Sequence, residues 1–310
     1  MEKKLKILAA TDYSDVAENA LKFAFQLAHS IHADLYLLHV YNVPFSSTPS
    51  NPNELIKNDR DYRKAELNAL EHVRNALYSE FNVSEKEMNV NCLVQTGKAG
   101  KAIRNEAGDI NADFIVLGTH GVSKFRKTFL GSHTWEVIGK SSIPVFAIPN
   151  YVKYKKIKNI VFGCEFREGE IAAINYLSHF AKKLHAKLIL LHVANNKSTD
   201  KLEADKLEQF KLEVEKEIMY TNLEYKFCRN SDVVHGLTNF CIKVNAEILA
   251  MSPEKSSVLK FAFSPSASKT REMSFESHIP LLSVPDYFDP EYSKFWNLFR
   301  MQTNFQEEDL

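Results

Sequence analysis

The chain has 310 residues, 45% of them hydrophobic, and its 39 basic and 39 acidic side chains leave no net charge at pH 7. This length and composition predict a globular protein of about two domains. Because basic residues are not in excess, no nucleic-acid or membrane partner is expected. The start, MEKKLKILAATDYS, runs directly into a strand-like pattern. Neither a signal peptide nor an anchor is therefore expected there, and the predicted location is the cytoplasm.

Strands and helices are predicted to alternate through residues 1–150, the first half of the chain. Short apolar runs predict buried strands, and apolar residues at helical spacing predict the helices between them. The predicted strands cover residues 5–10, 35–40, 90–94, 114–117 and 145–148, and the predicted helices cover 15–31, 54–81, 99–107 and 134–140. In the second helix, the expected buried stripe runs from Tyr62 to Phe81. This alternation predicts right-handed βαβ units and a parallel sheet covered on both faces.

A glycine-containing loop follows the fourth predicted strand, in the sequence VLGTHGVSKFRKTFLGSHT. Glycine lets the main chain approach a ligand closely, and the next helix begins with free N–H donors, capped by Ser132 or Thr134. The loop carries three basic residues and no acidic one. Such a loop suits an anion, most plausibly a phosphate chain, although a turn that merely needs positive φ is the alternative.

The spacing of this loop, Gly118-x2-Gly121-x9-Gly131-Ser132, resembles the nucleotide-binding signature of the universal stress protein family at every fixed position. The resemblance covers about residues 3 to 285. It implies a Rossmann-like (adenine nucleotide alpha hydrolase-like) α/β fold, with strand order 3-2-1-4-5 in each five-stranded parallel sheet and helices on both faces. It also implies binding of ATP, or of ADP or AMP, with Mg²⁺ as a possible companion of the nucleotide.

The expected nucleotide site lies where strand order reverses, beyond the carboxyl ends of the first and fourth strands. Thr11 and Asp12 end the first strand, and Gly118 ends the fourth. The resemblance implies that Asp12 lies by the adenine or ribose and that the main chain of Val40 contacts the adenine. The phosphates and ribose would then meet the glycine-loop residues, namely Gly118, Thr119, His120, Gly121, Gly131 and Ser132.

The strand-helix pattern then restarts, which indicates an internal repeat. At one constant offset, Ile31-His32-Ala33 returns as Leu184-His185-Ala186, and Leu38-His39-Val40 as Leu191-His192-Val193. Asn111-Ala112-Asp113 similarly answers to Asn245-Ala246-Glu247. The predicted domains are therefore residues 1–150 and 151–285, the second half, which are followed by an aromatic and acidic tail, 286–310. The two domains are expected to pair within the chain as a pseudo-dimer, and a homodimer is a further possibility.

The two halves diverge at the predicted site. Asp12 and Gly118 align with Glu165 and Ser252, and the second loop, SPEKSSVLKFAFSPSASK, contains no glycine. Without glycine the main chain can rarely approach a ligand so closely. The second half is therefore expected to be a structural or pairing domain, with a domain for a different ligand as the alternative.

No catalytic or metal-binding residue is predicted. His29 and His32 lie near a helix end without an acidic or thiol partner, and no general base is evident beside the nucleotide site. The four cysteines, expected to be buried free thiols, are Cys92, Cys164, Cys228 and Cys241. The predicted function is nucleotide-dependent sensing or regulation in a stress response. The alternatives are a slow Mg²⁺-dependent ATPase and a structural module without a nucleotide.

Overall fold

A computed structural model describes residues 4–42, 52–119, 132–167, 169–194, 200–252 and 279–285. The strands of the first half are β1 (Lys6–Thr11), β2 (Asp34–Tyr41), β3 (Val90–Thr96), β4 (Phe114–Thr119) and β5 (Val145–Pro149). Its helices are α1 (Asp15–Ser30), α2 (Pro52–Phe81), α3 (Ala99–Asp109) and α4 (Ser132–Lys140). Every strand and helix predicted in the first half is thus present, with ends shifted by a few residues.

The second half repeats the alternation of strands and helices. Its strands are β6 (Asn159–Gly163), β7 (Lys187–Ala194), β8 (Leu223–Arg229), β9 (Ile248–Met251) and β10 (Leu281–Ser283). Its helices within the described residues are α5 (Glu170–Leu184), α6 (Asp200–Glu217) and α7 (Val233–Lys243). The C-terminal tail lies outside the described residues.

All ten strands belong to one sheet, in the order β3-β2-β1-β4-β5-β10-β9-β6-β7-β8. Counted within each half, this is the predicted order 3-2-1-4-5. Neighbouring strands are parallel except at the centre, where β10 runs antiparallel to β5 with Leu282 opposite Phe146. The two predicted five-stranded sheets are therefore one continuous sheet, because each half uses its fifth strand to cover the exposed edge of the other.

The sheet separates two hydrophobic layers. One layer packs α1, α2, α5 and α6 against the sheet, and the other packs α3, α4 and α7 against the opposite face. The strands are buried on both sides, which explains their nearly continuous apolar sequences. In α2, Leu70 and Leu77 are buried, but Tyr62 is 40% exposed. The predicted stripe is therefore wrong at Tyr62, whose side chain is exposed to solvent.

The repeated His-Ala and Asn-Ala pairs end helices. His32, Asn111, His185 and Asn245 all have left-handed backbone, with φ of 52–53°. The alanine that follows donates its N–H to a carbonyl of the helix just ended, for example Ala33 to Ala28 at 2.8 Å. Asn tolerates left-handed backbone and Ala fills a small buried site, so these motifs repeat for structural reasons.

Aromatic side chains join the two halves in one core. Phe180 of α5 lies 4.8 Å from Phe114 and 6.1 Å from Phe146 of the first half, measured between ring centroids. Tyr176 also packs on Phe114, and its hydroxyl donates to the Asp113 carbonyl at 2.8 Å. Each buried aromatic contributes about 1.5–3 kcal/mol by leaving water. The second half is thus part of the core on which the first-half sheet rests.

Candidate functional site

The predicted first-half site lies at one edge of the sheet, where β1, β2 and β4 end. In the strand register Thr11 lies opposite His39, and Ala9 lies opposite Val116. Two residues beyond the pair Ala9 and Val116, Thr11 therefore lies beside Gly118. Val40 directly follows His39 and is half-buried. Thr11, Asp12, Val40, Gly118 and Thr119 thus share one edge, although their sequence positions span more than half of the first domain.

The turn after β1 is held by its own side chains. The Thr11 hydroxyl accepts the Tyr13 N–H at 2.9 Å, and an Asp12 carboxylate oxygen accepts the Ser14 N–H at 3.0 Å. The Ser14 hydroxyl donates to the same oxygen and accepts the Ala17 N–H, which caps α1. These local hydrogen bonds hold the exposed Asp12 side chain at the edge of the sheet. A carboxylate can accept hydrogen bonds from more than one donor.

Gly118 is required by packing as well as by any ligand. A Cβ atom at this position would lie 2.6 Å from the main-chain oxygen of Val16, in the first turn of α1. Backbone cannot move away as a flexible side chain can, so only glycine fits here without displacing α1. The Gly118 carbonyl also accepts the buried Thr134 hydroxyl at 3.1 Å. Thr134 therefore ties α4 to β4 and does not cap the helix.

The remaining predicted contacts are only partly described. Thr119 is 5% exposed at the end of β4, and Ser132 is the first residue of α4. His120, Gly121 and Gly131 lie outside the described residues.

An unpredicted set of side chains supports the turn. His39 Nδ1 lies 2.8 Å from the Thr11 carbonyl oxygen, and its Nε2 lies 3.6 Å from a carboxylate oxygen of Glu66 in α2. The Tyr13 ring packs on the imidazole with centroids 4.4 Å apart, although φ of 62° places Tyr13 in the left-handed region. Burial, and then the nearby Glu66 carboxylate, raise the pKa of the Tyr13 hydroxyl to about 12. Tyr13 is therefore neutral at physiological pH.

The second half repeats this support. His192 Nδ1 lies 2.9 Å from the Cys164 carbonyl oxygen, and His192 Nε2 lies 3.3 Å from Glu203. Phe166, with φ of 59°, stacks on His192 with centroids 4.2 Å apart. In both halves, a histidine thus contacts the main-chain carbonyl at the end of the first strand.

The turn after β6 nevertheless differs from the turn after β1. The Glu170 carboxylate, 1% exposed, accepts the N–H groups of Glu165 and Arg167 at 3.0–3.1 Å and pairs with the Arg167 guanidinium at 3.1 Å. Burial raises the pKa of the Glu170 carboxyl, and the main-chain hydrogen bond and the charge of Arg167 partly offset this rise. At the position of Gly118, Ser252 is 2% exposed and its hydroxyl has no hydrogen-bond partner among the described residues. In the second half, the carboxylate of Glu170 thus accepts hydrogen bonds from main-chain N–H groups at this edge.

Glu66, Tyr13 and Glu170 were missed because no motif marks them. Tyr13 and Phe166 are both aromatic and occupy equivalent positions in the two halves, so a comparison of the repeats could have found Tyr13. Glu66 and Glu203 offer no such signal, since Glu66 lies deep in α2 and Glu203 lies in the first turn of α6. Their equivalence follows only from their common contact with a histidine.

Neither a metal site nor a membrane span is found in the described part of the chain. It contains no group of three or more His, Cys, Asp or Glu side chains arranged to hold a metal ion. None of its helices combines the length and the hydropathy that crossing a membrane requires. All four cysteines are free, as predicted, but Cys92 and Cys228 are only half-buried.

Comparisons with known proteins agree on one family. Residues 5–149 match the model of the universal stress protein family. A universal stress protein of Thermus aquaticus is 30% identical over 144 residues, which are 46% of this chain and 96% of that protein. Universal stress protein YxiE of Bacillus subtilis is 29% identical over 150 residues, or 46% of this chain and 97% of YxiE.

A solved structure extends the likeness of fold to both halves. The crystal structure of a universal stress protein from Archaeoglobus fulgidus superposes with a TM-score of 0.64 at 17% identity. It covers 91% of this chain and 98% of its own. At this identity the similarity concerns the fold.

Proposed function

Because the chain belongs to the universal stress protein family, we propose that it binds one adenine nucleotide in its first half and acts as a sensor or regulator in a stress response. The observation that carries this proposal is the convergence of two sequence motifs. The Thr11-Asp12 turn and the Gly118-Thr119 strand end meet at the edge where strand order reverses between β1 and β4. Ligands of open parallel sheets bind at this point.

The proposed ligand is ATP, or ADP or AMP, with Mg²⁺ accompanying the phosphates. Asp12 has an exposed carboxylate that accepts hydrogen bonds from base or ribose, and the main chain of Val40 contacts the adenine. Thr11 supports this turn through its hydroxyl. The phosphates and ribose are assigned to the residues of the glycine loop, which are Gly118, Thr119, His120, Gly121, Gly131 and Ser132. The position of Gly118 beside Thr11 supports this assignment, because it brings the first residue of the glycine loop to the same edge as Asp12.

The second half is proposed to be a permanent pairing domain without a nucleotide, with the domain boundary near residues 150–156. Pairing of β5 with β10 and the aromatic contacts of Phe180 support an intramolecular pseudo-dimer. Glu170 supports the absence of a second nucleotide, since it holds main-chain donors at the equivalent edge. A homodimer of whole chains would need a surface other than the fifth strands, which are already paired.

The proposal is tested by mass spectrometry of the ligand released from purified protein, together with calorimetric titration of ATP. We expect one nucleotide per chain. Gly131→Glu should abolish binding, because a side chain and a negative charge would both oppose the phosphates. Gly139→Glu is the matched control, since a Cβ atom at this exposed helix position would meet no other atom within 4 Å, and it should bind like wild type.

Other outcomes would change the proposal in defined ways. Two nucleotides per chain would show that the second half also binds. No binding at millimolar ATP would overturn the nucleotide function. Phosphate release from ATP in the presence of Mg²⁺, lost in Gly131→Glu, would instead identify a slow ATPase.

A further inference from the structure

The His39 imidazole contacts both the end of β1 and helix α2. The His39 side chain is 12% exposed, with Nδ1 at 2.8 Å from the Thr11 carbonyl oxygen. A carbonyl can only accept, so Nδ1 carries the hydrogen and donates it. The other ring nitrogen lies 3.6 Å from a carboxylate oxygen of Glu66 in α2, a distance too long for a strong hydrogen bond.

This contact lies between two of the proposed nucleotide contacts. Thr11 precedes Asp12 and holds Tyr13 through its hydroxyl, so the position of the Thr11 main chain sets the direction of the Asp12 turn. Val40 follows His39 directly along β2. A shift of His39 would therefore move both Asp12, which follows β1, and Val40 of β2.

The Tyr13 side chain ties the same turn to α2. Its ring packs on His39, and its hydroxyl lies 3.5 Å from the Glu66 carboxylate and 3.4 Å from the Glu66 carbonyl oxygen. Left-handed backbone at a tyrosine costs about 1–2 kcal/mol. These contacts of the Tyr13 side chain help to offset that cost and keep the turn in one conformation.

The second half contains a natural control for this arrangement. His192 makes the same two contacts, to the Cys164 carbonyl and to Glu203, in a half whose glycine loop is absent. The Glu203 side chain is only 4% exposed, whereas that of Glu66 is 30% exposed. A role in stability is therefore expected of both histidines, and a role in binding is expected of only one.

We propose that His39 is a positioning residue of the nucleotide site, an inference that rests on the proposed function. It holds the Thr11 carbonyl and so fixes Asp12 and Val40 for the nucleotide. Glu66 and Tyr13 connect this support to α2. His39 itself does not contact the ligand.

The test compares full-length His39→Ala and His192→Ala by ATP calorimetry and by thermal unfolding. Both variants should lose stability, and His192→Ala should lose more, because the Glu203 carboxylate that it contacts is more deeply buried than Glu66. His39→Ala should weaken ATP binding about tenfold, the size of effect expected when one hydrogen bond that orders a site is lost. His192→Ala should bind ATP within about twofold of wild type.

A conservative variant separates positioning from general damage. In His39→Asn the amide nitrogen is as many bonds from Cα as Nδ1, so it can still donate to Thr11. This variant should recover most of the ATP affinity lost in His39→Ala. If His39→Ala does not fold, Glu66→Gln and Glu203→Gln replace the pair, and only Glu66→Gln should weaken ATP binding.

Two results would overturn the inference, and they are distinguishable. Equal ATP affinity in His39→Ala and His192→Ala, or in Glu66→Gln and Glu203→Gln if the alanine variant does not fold, would remove the positioning role while the nucleotide function stands. A wild-type protein that binds no ATP would remove both.

Discussion

The two halves share a strand order but differ in what closes the turn after their first strand. In the first half the turn is held by short side chains, Thr11, Asp12 and Ser14, and the Asp12 side chain is exposed at the edge. In the second half the buried carboxylate of Glu170 holds the main-chain donors together with Arg167. The same fold thus has an exposed carboxylate at this edge in one half and an internal ion pair in the other.

This difference shows that two halves can keep one fold while the residues at their carboxyl edges diverge. The features shared by both halves, such as the left-handed helix ends and the histidine contacts, all stabilise the backbone. The features that differ, such as Gly118 against Ser252, lie at the carboxyl edge of the sheet. Three predictions test this comparison.

The largest effect is expected from Glu170→Ala. It would remove the buried carboxylate that accepts two main-chain N–H groups and pairs with Arg167, and breaking such a buried pair costs about 3–5 kcal/mol. Urea unfolding measures this loss. Glu18→Ala is the control, because Glu18 also lies in the first turn of a helix and pairs with Lys22, but its side chain is 58% exposed. A loss no larger than that of Glu18→Ala would mean that Glu170 does not hold the turn.

A smaller loss is expected from Gly118→Ser, which gives the first half the residue of the second. Its Cβ would lie 2.6 Å from the Val16 oxygen, and such overpacking costs about 1–3 kcal/mol. The reciprocal change, Ser252→Gly, should alter the free energy of unfolding by less than about 1 kcal/mol, because it mainly adds backbone freedom. Equal losses in the two variants would show that α1 does not constrain Gly118.

The smallest effect concerns pH. His179 in α5 occupies the position of Gln26 in α1, and burial, with help from Lys182 and Lys183, lowers its pKa. The unfolded chain therefore takes up this proton first as pH falls below about 6.5, and the folded protein loses stability there. Wild type should lose more stability than His179→Gln between pH 7.5 and 5.5, by less than about 1 kcal/mol. Parallel pH profiles of the two proteins in urea unfolding would contradict this prediction.

Local sequence patterns predicted most of the fold. The strands and helices of the first half and the repeat follow from apolar periodicity and recurring motifs, whereas the strand order was implied by the family resemblance. Tyr62 was misplaced because an apolar stripe does not tell which turns of a long helix are buried. The candidate site was predicted as two motifs at one edge, and the glycine loop that completes it stays a prediction at His120, Gly121 and Gly131.

Residue types at fixed spacings were enough to predict the repeated α/β unit, the family and the half that carries the glycine motif. Three contacts are known only from the folded structure, namely those of Gly118 with Val16, of His39 with Glu66, and of β5 with β10. Each of these contacts joins elements far apart in the chain. Their formation depends on how helices and strands are placed against one another, which periodicity within a single element does not specify.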